Sequence, residues 1–177
     1  GVEDLSSAIQ ALESDFGVPF NVGGEHPVMG THNRLLRLQA DIYLEVIAAN
    51  PTGLPQRTRW FSMDDPKTKL RLNKGIHPLC WVLQVEDIHQ ARKNCGYYPG
   101  EVINMSRGDL EWQITVPKDG GLAEGGLLPV LIQWPGGKNP ADRLTPSPVW
   151  LTHLEITHPS PSSIENIPVS YTHLRAH

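Results

Sequence analysis

Apolar residues near the start of the chain recur at the spacing of an α-helix. They form one stripe: Leu5, Ile9, Leu12 and Phe16. This period predicts a helix within Val2–Gly17. Asp4 or Ser6 can cap its N-terminus by accepting a backbone N–H bond, and Gly17 is a natural stop.

The following part of the chain changes from helical spacing to strand-like runs. Residues 18–22 are expected to lead into a glycine turn at 23–24. After it, Thr31–Leu38 and Ile42–Ala48 predict two strands, joined by a short turn at 39–41.

The simplest register of this hairpin places Arg37 opposite Tyr43 and Leu35 opposite Glu45. Side chains alternate between the two faces of a strand. One face then carries apolar residues that should pack under a helix: Leu36, Leu38, Ile42, Leu44 and Val46. The other face is mixed, as the wall of a cleft would be: Asn33, Leu35, Arg37, Tyr43, Glu45 and Ile47. A shift of one residue would exchange the two faces.

A short repeat relates the two halves of the chain. Val85-Glu86-Asp87-Ile88 repeats the pattern Val2-Glu3-Asp4-Leu5, and a helical stripe and a glycine follow each copy. A predicted strand, Leu79–Gln84, precedes the second copy. Three more strands are predicted after the second helix: Val102–Met105, Asp109–Pro117 and Gly126–Trp134.

These elements predict an α+β fold of paired β-α-β-β-β modules. Module one spans 1–50. Only Gly1 precedes its tetrapeptide, so we expect the first strand of this module to be missing from the chain. Residues 51–76 are an irregular connection with apolar residues to bury: Trp60, Phe61, Leu70 and Leu72. Module two spans 77–135.

A partial third unit is expected at 150–168, with a strand at Trp150–Thr157. Residues 169–177 continue no pattern and are interpreted as a non-native tail of a metagenomic gene fragment. The interpretable domain is therefore 1–168.

Composition excludes several partners. The chain has 177 residues, 19% of them charged, and a formal net charge of −4, so nothing favours nucleic acid or an anionic membrane. No apolar run approaches the roughly 18 residues of a membrane span. Cys80 and Cys95 form no CxxC motif, which favours the reducing cytoplasm. Nucleotide-binding, GxSxG and HExxH motifs are absent.

Five segments, together with the repeated unit, carry a resemblance to a known family: Gly24–Asn33, Tyr43–Ile47, Met105–Arg107, Gly125–Trp134 and Pro140–Leu144. Over residues 2–168 the chain resembles the glyoxalase-like branch of the vicinal oxygen chelate (glyoxalase / bleomycin resistance / dioxygenase) superfamily. The resemblance implies that the paired modules form a curled mixed sheet around a cleft, with a divalent metal (Zn, Fe, Mn, Mg or Ni) between the modules. It also implies lyase, isomerase or dioxygenase chemistry on a small carbonyl or oxygen-rich compound, and a homodimer is plausible in such a fold.

The resemblance assigns Glu45 as catalytic group and metal ligand, because the family's Glu lies on the last strand of a module. His32 is the second metal candidate, although a regular strand directs it away from Glu45 unless a bulge turns it. In module two, Cys80 and Leu131 fall near the ligand positions, with Gln133 on the face of Leu131. Cys80 could be a nucleophile or a metal ligand, or it could be a small buried residue that packs in the core.

Seven polar residues are predicted to bind substrate: His26, Asn33, Arg37, Tyr43, Arg107, Glu111 and Gln113. Arg107 could hold a carboxylate or enolate oxygen through two N–H groups. Glu45 could instead pair with Arg37 or Arg107. The incomplete ligand set leaves a second function open, a metal-free protein that binds or sequesters a small molecule. A structural partner domain is a third.

Overall fold

The computed structural model describes residues 1–39, 41–137 and 139–157. Three helices occur in this part of the chain: α1 (Leu5–Phe16), α2 (Pro66–Leu72) and α3 (Ile88–Asn94). Seven strands accompany them: β1 (Asn21–His26), β2 (Thr31–Arg37), β3 (Tyr43–Ala49), β4 (Val82–Gln84), β5 (Glu101–Arg107), β6 (Leu110–Val116) and β7 (Val130–Gln133). The predicted α+β class is confirmed.

Module one is an antiparallel sheet in the order β1-β2-β3. The predicted register is confirmed, because Leu35 pairs with Glu45 and Arg37 with Tyr43. The expected glycine turn is wrong, since β1 runs through Gly23 and Gly24 with an irregular register between Val22 and Glu25. A Cβ at Gly23 would overlap β2, so glycine here permits close strand approach.

Module two is a mixed sheet in the order β4-β7-β6-β5, in which β4 runs parallel to β7. The first predicted strand of this module forms only at Val82–Gln84. Leu79 and Cys80, which were expected in that strand, pack instead against the central core as partly buried residues.

The repeated tetrapeptides occupy equivalent places in the two modules. The Asp4 side chain accepts from Ser7 N–H at the start of α1, and Asp87 accepts from Gln90 N–H at the start of α3. The valines before them also match: Val2 N–H donates to Ile47 O at 3.0 Å, and Val85 N–H to Ile132 O at 2.8 Å. The start of each repeat therefore lies beside the last strand of its module.

Three packed clusters hold these elements together. The predicted apolar face of β2 and β3 packs under α1, where Leu36 and Val46 meet Leu5. Another cluster lies between α3 and the sheet of module two, around Ile88. The central cluster lies between the two modules, and its large rings are Trp60, Phe61, Trp112 and Trp134.

The connection is not irregular throughout, because α2 begins after Asp65, whose side chain accepts from two backbone N–H groups. Leu70 on α2 is exposed, contrary to expectation. Residues 150–157 form no strand, and Trp150 is 67% exposed. The rest of the predicted third unit and the tail, 158–177, lie outside the described residues. None of the helices described is long and apolar enough to span a bilayer.

Candidate active site

A cavity of about 40 Å³ lies between the two modules. Five polar side chains line it: His26, Asn33, Tyr43, Glu45 and Arg107. Apolar side chains form the opposite wall: Trp60, Phe61, Trp112, Ile114, Ile132 and Trp134. Four of the polar groups come from the sheet of module one and Arg107 comes from β5, so the site requires both modules.

Asn33 holds the carboxyl of Glu45 in place. Its Nδ2 donates to Glu45 Oε1 at 2.5 Å, and its Oδ1 accepts from Gly24 N–H at 2.8 Å. Because the backbone N–H of Gly24 can only donate, it fixes which side of the amide faces Glu45. Asn33 is 2% exposed, so both bonds are made away from bulk water.

Burial raises the pKa of Glu45 above its ordinary value, while the Asn33 hydrogen bond and the Arg107 charge act in the opposite direction. Burial is the largest cause and favours the neutral carboxyl. Burial, followed by the nearby Glu45 charge, also raises the pKa of Tyr43, so its phenol stays protonated. Tyr43 can therefore donate its O–H to a ligand oxygen, and burial shifts Glu45 toward the protonated form that could do the same.

His26 is a neutral imidazole at the end of β1. An Arg107 N–H donates to its Nε2 at 3.3 Å, which places the ring proton on Nδ1, 3.1 Å from Thr31 Oγ1. Burial and then the Arg107 charge lower the pKa of His26 to about 3. The ring is 3% exposed and meets Trp60 edge-on at 4.9 Å between centroids.

Arg107 crosses from module two to module one. Its side chain lies over Gly24, where a Cβ would overlap Cδ, and its Nη1 donates to Asn33 Oδ1 at 3.3 Å. Within the described residues its guanidinium takes part in none of the ion pairs. The glycine in β1 therefore makes room for Arg107, the one cation among the described residues that line the cavity.

Comparison with protein families gives a match over nearly the whole chain. A family model described as glyoxalase-like domain matches residues 1–171. The chain belongs to this family. No curated protein and no solved structure matches the chain.

Several predicted site residues of this glyoxalase-like domain lie away from the cavity. Arg37 donates to the carbonyls of Gln39 and Leu144 at the end of β2. Glu111 is exposed, and Gln113 donates to Asn104 on the face of β6 opposite Trp112. The sequence pattern placed Glu111 and Gln113, on the polar face of β6, in the cleft. The apolar face of β6, with Trp112 and Ile114, lines the cavity instead.

His32 and Glu45 lie on opposite faces of the first sheet. The pairing of β2 with β3 is continuous from Thr31 to Arg37, so no bulge turns His32 toward the cavity. The irregular register lies in β1 instead. The predicted pair of metal candidates is therefore not brought together.

The donors around Glu45 do not fit the divalent metal that the family resemblance implies. No group of three or more His, Cys, Asp or Glu residues that could hold a metal occurs in the described part of the domain. Glu45 Oε1 already accepts a hydrogen bond from Asn33, and His26 Nε2 already accepts one from Arg107. Burial, then the Glu45 charge, raises the pKa of Cys80 to about 12, so its thiol stays protonated.

Module two supplies no ligand at the other positions considered. Leu131 is buried under α3 rather than facing the cavity. Gln133 points the same way, and its Oε1 accepts from Ile88 N–H at 3.0 Å at the start of α3. Glu45 is thus the single carboxylate lining the cavity among the described residues.

Sequence reasoning missed the aromatic wall and the role of Thr31. Trp60, Trp112 and Trp134 pack in the central cluster, and each of them also lines the cavity. Thr31 follows His26 by five residues across the tight turn at Gly30, which has a positive φ of 57°. That spacing was the available signal.

Proposed function

We propose that this glyoxalase-like domain binds a small oxygen-bearing molecule in the cavity between its modules, without a metal ion. The observation that carries the proposal is the division of the cavity wall. Hydrogen-bonding groups, four from module one and Arg107 from module two, face large apolar side chains of module two and the connection across a space of about 40 Å³. Small-molecule sites typically combine an apolar lining with a few fixed polar groups.

In this proposal Glu45 polarises a carbonyl oxygen of the ligand, which a metal ion acting as a Lewis acid would otherwise do. With Oε1 accepting from Asn33, a proton on Oε2 can be donated to a carbonyl oxygen of the ligand. The raised pKa of Glu45 increases the fraction that carries this proton. If the domain is an enzyme, Glu45 is the general acid or base, and Tyr43 is a second donor.

Metal-dependent lyase, isomerase or dioxygenase chemistry is the second candidate, and the family resemblance is what favours it. A metal on Glu45 would lie close to the Arg107 cation, and a metal that binds both carboxyl oxygens would displace the Asn33 amide. Charge repulsion and, for binding through both oxygens, the lost hydrogen bond oppose metal binding at this position. The metal-free reading is therefore preferred.

Acetamide, a small neutral carbonyl compound, tests the proposal. Saturation-transfer NMR should detect acetamide on the wild-type chain, with EDTA leaving the signal unchanged and elemental analysis finding substoichiometric metal. Val82→Trp should abolish the signal, because Val82 lines the cavity and is 39% exposed, so a larger ring there blocks the entrance while the fold tolerates it. Stoichiometric metal with EDTA-sensitive binding would establish the second candidate instead.

Two further properties belong to the same proposal. The free thiols Cys80 and Cys95 are compatible with a reducing cytoplasm. A homodimer is expected from the resemblance alone. Light scattering of the purified chain would test the homodimer, and a monomer at every concentration would contradict it.

A further inference from the structure

Arg107 brings a positive charge into a cavity where its contacts are uncharged. Its Nη1 lies 3.3 Å from both Asn33 Oδ1 and His26 Nε2. The guanidinium is half-buried, and no ion pair is formed with it by the residues described. Removing a cation from water without a counter-ion is costly, so this arrangement favours the arrival of an anion.

Glu45 forms none of the ion pairs found among the described residues. The Arg107 charge acts on its carboxyl, but the amide of Asn33 lies between the two groups, accepting from the guanidinium and donating to Glu45. Burial raises the pKa of Glu45, which favours the neutral carboxyl, and the Tyr43 hydroxyl beside it can donate to an incoming anion. The remaining guanidinium N–H groups can then donate a charge-assisted hydrogen bond to the anion.

We propose that Arg107 anchors a small monocarboxylate in this cavity, an assignment that rests on the proposed function. One carboxylate oxygen accepts from the guanidinium of Arg107, and the other accepts from the Glu45 or Tyr43 hydroxyl. The hydrocarbon part of the ligand lies against Trp60 and Trp112. The site thus selects a carboxylate over the neutral amide of the same shape.

The cavity volume limits the length of this ligand. Sites for drug-sized molecules measure roughly 300–1,000 Å³, whereas this cavity measures about 40 Å³. That space corresponds to only a few water molecules. An acid of about two carbons is the class that fits, because its carboxylate occupies most of the polar wall.

Gly24 gives a way to move the anchor without removing its charge. An alanine Cβ at this position would overlap Cδ of Arg107. The backbone of Gly24 is outside the positive-φ region, so alanine can adopt it. Gly24→Ala should therefore displace the guanidinium from Asn33 and His26 while the net charge of the chain stays the same.

Acetate and acetamide are matched probes for the experiment, since they share shape and differ in charge. Acetate binding is measured by saturation-transfer NMR at constant ionic strength, to hold screening fixed. Wild-type protein should prefer acetate over acetamide. Arg107→Met should weaken acetate by roughly 10- to 100-fold, with Arg107→Lys and Gly24→Ala in between. Arg71→Met removes the same charge from the exposed face of α2 and should change nothing.

Each result separates this inference from the proposed function. Acetamide binding that Val82→Trp blocks, without tighter acetate binding, leaves the binding cavity valid and overturns the carboxylate anchor. Binding of neither probe overturns both. Equal competition by sulfate or chloride identifies a general anion site and also overturns the assignment. If Arg107→Met fails to fold, the acetate preference of wild type and the Gly24→Ala variant still decide it.

Discussion

The two modules share one plan but line the cavity with opposite chemistry. Their matching hydrogen bonds equate Ile47 with Ile132, so Glu45 corresponds to Val130, two residues earlier on each last strand. Across each sheet, Asn33 pairs with Ile47 and Ile114 with Ile132. Where module one has an amide and a carboxyl, module two has isoleucine and valine.

A buried polar side chain on a cleft face requires hydrogen-bond partners. Asn33 is tolerated at 2% exposure because Gly24, Arg107 and Glu45 satisfy its amide. The face of module two has no such partners and instead packs rings, with Trp112 and Trp134 5.2 Å apart between centroids. The face of module one, joined by Arg107 from β5, therefore supplies the polar groups of the cavity, and the rest of the module-two face supplies its apolar wall.

Exchanging the two matched positions should give the largest effect. Val130→Glu buries a carboxyl among apolar residues with no amide beside it, and should cost about 3–5 kcal/mol of unfolding free energy. Glu45→Val leaves only the Asn33 N–H without its acceptor, and should cost about 1 kcal/mol. Urea denaturation measures both. Equal losses would mean that the two faces are interchangeable.

Acid should destabilise the polar half through His26. The pKa of His26 falls to about 3 in the fold, against roughly 6.5 in the unfolded chain. Its contribution is thus complete above about pH 6.5 and is lost toward pH 3, at about 1.4 kcal/mol per pH unit. The raised pKa of Glu45 acts oppositely, giving stability that is lost as pH rises.

The contribution of His26 is measured by urea unfolding of the wild-type and variant proteins between pH 7 and pH 4. His26→Phe should flatten the pH dependence relative to wild type, whereas His89→Asn, on the exposed side of α3, should keep it. An unchanged slope in His26→Phe would show that His26 is not held neutral.

Removing the helix caps should give the smallest effect and the most symmetric one. Asp4→Ala and Asp87→Ala each delete a side-chain bond to the third following N–H. Each should lower Tm by about 2–4 °C, with Glu86→Ala, an exposed neighbour, as the control. A large difference between the two aspartates would contradict their equivalence in the repeat.

The strand pairing of module one and the two helix starts follow from the local residue pattern. Period-2 alternation and the short turn fixed the pairing of Leu35 with Glu45 and the face that β2 and β3 present to the cavity. The tetrapeptide repeat located both helix starts, since capping involves residues only three apart. Such features can be predicted because their causes lie within a few residues of chain.

Which side chains meet in the cavity depends on the tertiary packing and could not be predicted from the local residue pattern. Arg107 and His26 are 81 residues apart, and their contact depends on how the sheets of the two modules pack. The same packing directs Trp112 inward and Glu111 outward, although alternation alone permits either choice. A burial pattern shows that a strand has two faces, but the element packed against each face determines which of them becomes the site.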